Sequence, residues 1–190
     1  MHNDFTEVLK EVFDVATREA ETIASFFFEE QIAKGELFLT LQQRCNRLSY
    51  IQSGIVRVYA YVEGKEVTQW IGQAGYFITD LASFMLNEPA RWQIQALTAL
   101  KIRTLTKADY LSFERNIPEW NILEKRFISK CFITIENRVF DFISLSAEER
   151  YKKYFEHNKS LFNQVPLQYI ASMLGMTPET LSRIRAKTNS

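Results

Sequence analysis

The positions of glycine and proline divide this chain into stretches that cannot share one kind of secondary structure. Five of the six glycines fall between residues 35 and 75, whereas residues 119–165 contain neither glycine nor proline. Frequent glycines among alternating apolar and polar residues are typical of short strands joined by turns. A stretch of nearly fifty residues without either residue type favours helix. The sequence therefore predicts a β-rich part followed by a helical part.

The β-rich part contains two pairs of candidate strands. Residues 55–62 and 67–71 are rich in β-branched and aromatic residues and flank a turn at Gly64, and residues 92–97 and 100–105 repeat the pattern. Several short antiparallel strands spaced by turns are typical of a small barrel or sandwich. Before them, apolar residues recur every three or four positions within residues 5–15, which predicts a helix in an acidic leader.

A helix of about 25 residues is expected from Pro118 onwards, with Asn116 as a candidate N-cap and Pro118 in the first turn. Its apolar residues step by four and three positions and so form a stripe along one face: Ile128, Phe132, Ile135, Val139 and Phe142. One alternative is that this stripe packs against its own domain. The other, which we favour because no further sheet follows to cover it, is that it pairs with the same helix of a second subunit.

Composition excludes several classes of protein. The 190 residues allow one large domain or two small ones, and the 46% hydrophobic content is ample for a folded core. With Cys45, Cys131, His2 and His157 as the whole supply of cysteine and histidine, no disulfide framework and no metal site are expected. No apolar run approaches the length of about 20 residues that crosses a bilayer, so a cytoplasmic protein is expected.

The formal net charge of zero hides an uneven distribution. Residues 1–33 carry a net charge of −6, whereas residues 34–146 and residues 147–190 each carry +3. Binding to nucleic acid needs a locally basic surface rather than a basic protein. The charge balance therefore permits a nucleic-acid partner for the carboxyl-terminal part.

Residues 165–187 contain the most specific motif of the chain. Pro166 suits the first turn of a short helix, Gly175 suits its carboxyl-terminal stop, and Thr177 with Pro178 suits the start of a second helix. The inward positions of the pair are small or apolar: Ala171, Leu181 and Ile184. Two short helices joined by a glycine turn are typical of a helix-turn-helix.

The polar residues of this segment are candidates for contacts with DNA. Arginine can bind a guanine edge through two hydrogen bonds, glutamate can accept from a cytosine amino group, and hydroxyl and amide groups near helix ends can bind phosphates. The candidates are Gln168, Thr177, Glu179, Thr180, Ser182, Arg183, Arg185 and Lys187. The alternative is an ordinary helical hairpin with a solvated charged face.

The segment resembles the DNA-binding motif of the Crp/Fnr regulators, whose recognition helix carries Glu-x-x-Ser/Gly-Arg, here Glu179, Ser182 and Arg183. Pro178 stands where the cyclic-AMP receptor protein has a further base-contacting arginine. Residues 50–58, among others, resemble the family's β-roll. The resemblance implies an α+β fold: a sensor domain over residues 1–117 built on an antiparallel β-roll of the jelly-roll type, a dimerisation helix over 118–145 and a helix-turn-helix domain over 146–190.

The effector site that the resemblance implies is altered. Members that bind cyclic nucleotides carry Gly-Glu and, about ten residues later, Arg-Ser/Thr-Ala, whereas this chain has Thr79-Asp80 and then Arg91 followed by Trp92. Cyclic AMP is therefore not expected, and another small effector contacting Asp80 and Arg91 is a weaker expectation. The alternative is that Asp80 and Arg91 form a structural ion pair or lie solvated in a loop.

Together the residues and the resemblance predict a homodimeric transcription regulator that binds double-stranded DNA, with RNA polymerase as a further candidate partner. A ligand-sensing module that lacks DNA binding is the alternative. An enzyme is not expected, because no catalytic constellation stands out. Only residues 188–190 follow the second helix, so a shortened wing is also expected.

Overall fold

The computed structural model describes residues 5–188 of the chain. Its helices and strands follow one another in this order: α1 Phe5–Phe13, α2 Thr17–Ala24, β1 Phe28–Ile32, β2 Leu37–Leu39, β3 Arg47–Ser53, β4 Ile55–Val62, β5 Lys65–Gln73, β6 Phe77–Ile78, α3 Leu81–Leu86, β7 Gln93–Ala96, β8 Leu100–Thr106, α4 Lys107–Asn116, α5 Trp120–Ser144, α6 Ala147–Asn158, α7 Leu161–Gln164, α8 Leu167–Met173 and α9 Pro178–Thr188. The predicted α+β class, with strands before the long helix, is confirmed.

The strands form two four-stranded antiparallel sheets that pack face to face. One sheet has the strand order β1-β8-β3-β6 and the other has the order β2-β7-β4-β5. Alternate residues of both sheets point into the layer between them, where Ile51, Val56, Ile94 and Ile102 are fully buried. This arrangement confirms the predicted antiparallel β-roll.

The β4–β5 hairpin has the tight turn that its sequence predicts. Val62 pairs with Lys65, and the two residues between them, Glu63 and Gly64, both have positive φ, at 50° and 77°. Positive φ at both central positions is the requirement of a type I′ turn, whose twist matches that of the strands. The second strand of the hairpin, β5, covers Lys65–Gln73 and so extends beyond the predicted residues 67–71 at both ends.

The amino-terminal helices and α4 cover the outer face of one sheet. Leu9 of α1 and Phe113 of α4 are fully buried in this second core, together with Trp120 at the start of α5. The rings of Phe113 and Trp120 meet edge to face, with 4.7 Å between their centroids. The predicted leader helix is thus confirmed over Phe5–Phe13.

The start of the long helix differs from the prediction. Asn116 is the last residue of α4 rather than an N-cap, and α5 begins at Trp120 after Glu119, whose φ is +59°. The Ile117 N–H closes α4 by donating to Phe113 O at 2.9 Å, and Pro118 has no N–H with which to continue. The predictions of Asn116 as N-cap and of Pro118 in the first turn were wrong, although the predicted length agrees with the 25 residues of α5.

The carboxyl-terminal helices enclose a third core. Ile170 and Ala171 of α8, Leu181 of α9 and Leu161 of α7 are buried to within 1% there, and Tyr151 of α6 joins them. Helix α6 begins at a capping box in which Ser146 and Glu149 bond to one another's backbone N–H. Across residues 5–188, none of the helices combines the length and apolar character of a membrane span.

Candidate DNA-binding surface

The turn between α8 and α9 is built on Gly175. The Met176 N–H donates to Ala171 O at 3.0 Å and the Gly175 N–H donates to Ser172 O at 3.0 Å. These two bonds form a Schellman motif, which requires positive φ at its glycine, and Gly175 has a φ of +68°. The glycine that the sequence predicted to stop α8 therefore does so through backbone hydrogen bonds.

Helix α9 begins shortly after this turn, at Pro178. The Thr177 hydroxyl accepts from the Thr180 N–H at 3.2 Å, so Thr177 caps the helix as predicted, and Pro178 occupies its first position. Leu181 and Ile184 point inward, where Ala171 allows the helices to approach closely. The helix-turn-helix geometry expected from the sequence is therefore present.

Replacing Gly175 with alanine is expected to destabilise this turn by about 2 kcal/mol, because alanine is strained at positive φ and its Cβ would lie 2.7 Å from Phe142 Cε1. Gly64→Ala is the matched control: its φ is +77° but nothing lies within 4 Å of the added Cβ. Denaturant unfolding of both variants measures the two costs. Equal destabilisation would show that the Phe142 contact has no effect.

The outer face of α9 is open to solvent. Glu179, Ser182 and Arg183 are exposed and line one shallow surface together with Pro178 and Ala186. Hydrogen bonds from its own backbone N–H and from the Thr177 hydroxyl lower the pKa of the Glu179 carboxyl, so this side chain is an ionised acceptor at neutral pH. A cation, an anion and a hydroxyl are thus presented side by side on one helix face.

The remaining candidates lie around this face at different exposures. Gln168 and Thr177 are exposed, and Thr180 is half-buried. The guanidinium of Arg185 lies 5.8 Å from the ring centroid of Phe162 in α7. The Lys187 ammonium lies 3.2 Å from a carboxylate oxygen of Glu148 in α6. Sequence reasoning missed that last contact, since nothing local links residues so far apart.

The helix-turn-helix packs against the sheet that contains β4 and β5 through a buried arginine. Arg57 of β4 is 2% exposed and lies between the rings of Tyr59 and Tyr169, with its Cζ 3.7 Å from the Tyr169 ring centroid. Tyr169 belongs to α8, and the neighbouring Ser172 hydroxyl accepts from the Thr68 N–H of β5 at 2.9 Å. Cation–π and hydrogen-bond contacts therefore fix α8, and with it α9, on β4 and β5.

Comparisons with known proteins agree with this architecture. Residues 29–116 match the family model described as the cyclic nucleotide-binding domain. No curated protein matches the chain. Among solved structures, the catabolite activator protein of Thermus thermophilus is similar over 93% of this chain and 85% of its own, with 19% identity and a TM-score of 0.60.

Two further structures cover both parts of the chain. The c-di-GMP responsive global regulator CLP of Xanthomonas campestris is 13% identical, with a TM-score of 0.69 and 92% of each chain covered. A mutant of CooA from Carboxydothermus hydrogenoformans is 20% identical, with a TM-score of 0.64 and with 95% of this chain and 84% of that one covered. The chain has a Crp/Fnr-like fold.

Within this Crp/Fnr-like fold, Asp80 lies in the segment 29–116 that matches the family model, but its carboxylate is already hydrogen-bonded. Its side chain is fully buried and caps α3 by accepting from the Ser83 N–H at 3.1 Å. Its other carboxylate oxygen accepts from the N–H groups of Arg91 and Trp92, at 2.8 and 3.3 Å. Asp80 thus joins α3 to the following loop, and no ion pair with the Arg91 guanidinium is present.

The Arg91 side chain is exposed, and its guanidinium lies 5.8 Å from the Trp92 ring centroid. Its backbone N–H, rather than its charge, is what contacts Asp80. Asp80 therefore caps α3 and binds the backbone of the loop, and Arg91 lies exposed in that loop. The two side chains do not form an ion pair. The effector contact expected of Asp80 and Arg91 stays a prediction.

Proposed function

We propose that this protein is a homodimeric, DNA-binding transcription regulator that reads bases through α9. The observation that carries the proposal is the outer face of α9, where Glu179, Ser182 and Arg183 are exposed together on a helix fixed by buried residues and a glycine turn. A recognition helix needs rigid support on one side and free base-reading groups on the other. The described geometry supports both requirements.

Each side chain of the surface has a role that follows from its chemistry. Arg183 offers paired N–H donors to the N7 and O6 atoms of guanine, and ionised Glu179 accepts from the cytosine amino group. Ser182 can bond to either kind of base. Gln168, Thr177 and Thr180 lie near helix ends, where hydroxyl and amide groups bind phosphate oxygens, and Arg185 and Lys187 add positive charge.

A second copy of the chain is the proposed partner along α5. The predicted stripe leaves Phe132, Ile135 and Val139 more than half exposed, at 64%, 56% and 52%, whereas Ile128 is half-buried and Phe142 is 38% exposed. Large apolar side chains exposed in a row mark an interaction surface. A twofold pair would present two recognition helices about 34 Å apart, which suits a near-palindromic site. Residues 1–117, 118–145 and 146–190 are the proposed sensor, dimerisation and DNA-binding parts.

Arg183→Ala is expected to weaken binding to the preferred site by about 1 to 3 kcal/mol, which is roughly 5- to 150-fold, and to relax the preference at one base pair of each half-site. The preferred site is first obtained by selecting bound DNA from a random pool. Gel-shift titrations then compare that site with single-base variants. If Arg183→Ala distinguishes the preferred site from its single-base variants as well as the wild type does, Arg183 does not read a base.

Arg115→Ala is the matched control, because it removes the same charge from an exposed position of α4 in the sensor domain. It is expected to leave the preference unchanged. The alternative function, a ligand-sensing module that lacks DNA binding, predicts that no sequence is enriched from the pool at any salt concentration. Enrichment of a near-palindromic sequence supports the proposed regulator.

A further inference from the structure

A cavity of about 780 Å³ lies where the sensor sheet, α5, α6 and the end of α8 meet. Trp70 and Tyr76 contribute its wall on the sensor side, Phe142 contributes on α5, and Met173 and Leu174 close it at the end of α8. Small-molecule sites usually have 300 to about 1,000 Å³ and combine apolar walls with a few polar groups. The size and the aromatic walls of this cavity therefore suit a small organic ligand.

The charged groups of the cavity are mostly cationic. Arg138, Arg150 and Lys153 line it, and Asp141 is the single carboxylate among the lining residues of the described chain. Asp141 pairs with Lys153 at 2.7 Å, whereas no salt bridge within residues 5–188 includes Arg138 or Arg150. Two guanidinium groups therefore face the cavity without a carboxylate to balance them.

The two arginines are only partly occupied by hydrogen bonds. Arg138 donates to Met173 O at 3.3 Å, and Arg150 donates to Leu174 O at 3.1 Å and to Leu145 O at 2.7 Å. A guanidinium carries five N–H donors, so these backbone bonds leave donors on both residues. Burial lowers the pKa of Arg138, which reflects the cost of holding this charge away from water. An anion in the cavity would offset that cost.

The hydroxyl of Tyr154 points to the same conclusion independently. Tyr154 lines the cavity from α6, and its Oη atom is buried with no hydrogen-bond partner among the described residues. Burial and the nearby Tyr76 raise the pKa of Tyr154, while the charge of Arg138 acts in the opposite direction. The Met173 and Leu174 carbonyls at the end of α8 accept hydrogen bonds from Arg138 and Arg150. Neither carbonyl accepts one from the Tyr154 hydroxyl.

We propose that this cavity binds a small organic oxyanion, a carboxylate or a phosphate monoester, attached to an aromatic or other apolar body. Arg138 and Arg150 hold the oxyanion, the Tyr154 hydroxyl donates a hydrogen bond to it, and Trp70, Tyr76 and Phe142 contact the apolar body. The site is separate from Asp80 and Arg91. Apart from Phe142, its α5 residues lie outside the proposed dimer stripe, so a second subunit on that stripe leaves the cavity's other α5 side chains free.

The ligand would touch the sensor domain and the helix-turn-helix domain at once. Trp70 belongs to β5, whereas Met173 and Leu174 end α8, and Arg138 and Arg150 connect both sides. A bound anion would thus stabilise the packing of α8 on the sensor sheet. This binding is measured without DNA, so its failure would leave the proposed DNA binding untouched.

Calorimetric titration of the full chain with phenyl phosphate and with benzoate tests the proposal. We expect saturable binding of at least one probe with a dissociation constant of about 1 mM or lower, and inorganic phosphate about tenfold weaker because it leaves the aromatic walls uncovered. The stronger of the two probes identifies the oxyanion. Absence of saturable binding of both probes at about 10 mM, or equal affinity for inorganic phosphate, would overturn the proposal.

Two variants locate the binding. Arg138→Met is expected to lower the affinity for the stronger probe about tenfold or more, and Tyr154→Phe is expected to lower it several-fold. Arg126→Met, which changes an exposed arginine elsewhere on α5, should leave that affinity unchanged. Tyr154→Phe also tests folding, since removing an unbonded buried hydroxyl should not lower the melting temperature. Unchanged affinity in either cavity variant would contradict this site.

Discussion

Replacing Ile135 with aspartate is expected to convert the proposed dimer into a monomer. Ile135 lies at the centre of the apolar stripe of α5 and is 56% exposed in the isolated chain. In a twofold pair of α5 helices, each copy of the variant would bury an unpaired carboxylate, at a cost of about 4 kcal/mol or more. The dimer dissociation constant should rise by about a thousandfold or more, which light scattering detects as a halved mass.

Ser129→Asp is the matched control, because it adds the same charge at an exposed position of α5 outside the stripe. It should leave the mass unchanged. Monomeric Ile135→Asp should also lose affinity for a two-half-site operator by about 100-fold or more, since one chain then contacts one half-site without the gain from its partner. A dimer mass for Ile135→Asp would place the subunit contact elsewhere.

Features with local causes were predictable from the sequence. Gly175, Thr177 and Pro178 each act within four residues of their own position, through a backbone turn, a cap and a fixed φ, so the helix-turn-helix followed from the order of residues alone. The β4–β5 hairpin followed in the same way from the turn at Gly64. The helical character of α5 was also predictable, because the three- and four-residue spacing of its apolar side chains from Ile128 to Phe142 is a local signal.

Features that depend on distant partners were not predictable. Arg57 looks like a surface residue in an alternating strand, yet it is buried because Tyr169, more than a hundred residues later, covers it. The bonding of Asp80 is another case, because its carboxylate accepts from the backbone N–H groups of Arg91 and Trp92, eleven and twelve residues later. The same holds for Arg138 and Tyr154, whose cavity exists only once α6 and α8 pack against α5 and β5.

The role of Asp80 in the fold leads to the second large expected effect. Its two carboxylate oxygens accept from three backbone N–H groups, of Ser83, Arg91 and Trp92, in a position with no solvent exposure. Asp80→Ala removes the N-cap of α3 and leaves three donors without this acceptor, the Ser83 N–H buried and those of Arg91 and Trp92 partly buried. Each unsatisfied buried group costs about 1 to 3 kcal/mol, so we expect a loss of about 3 kcal/mol or more in the free energy of unfolding.

That loss should lower the melting temperature by roughly 10 °C for a chain of this size, measured by circular dichroism or calorimetry. Asp80→Asn keeps one acceptor oxygen and should lose about half as much stability. Glu88→Ala removes an exposed carboxylate from the same loop and should change stability by no more than about 0.5 kcal/mol. If Asp80→Ala has the same melting temperature as the wild type, other groups bond these three N–H donors. Asp80 is then available for the effector contact that the sequence predicted.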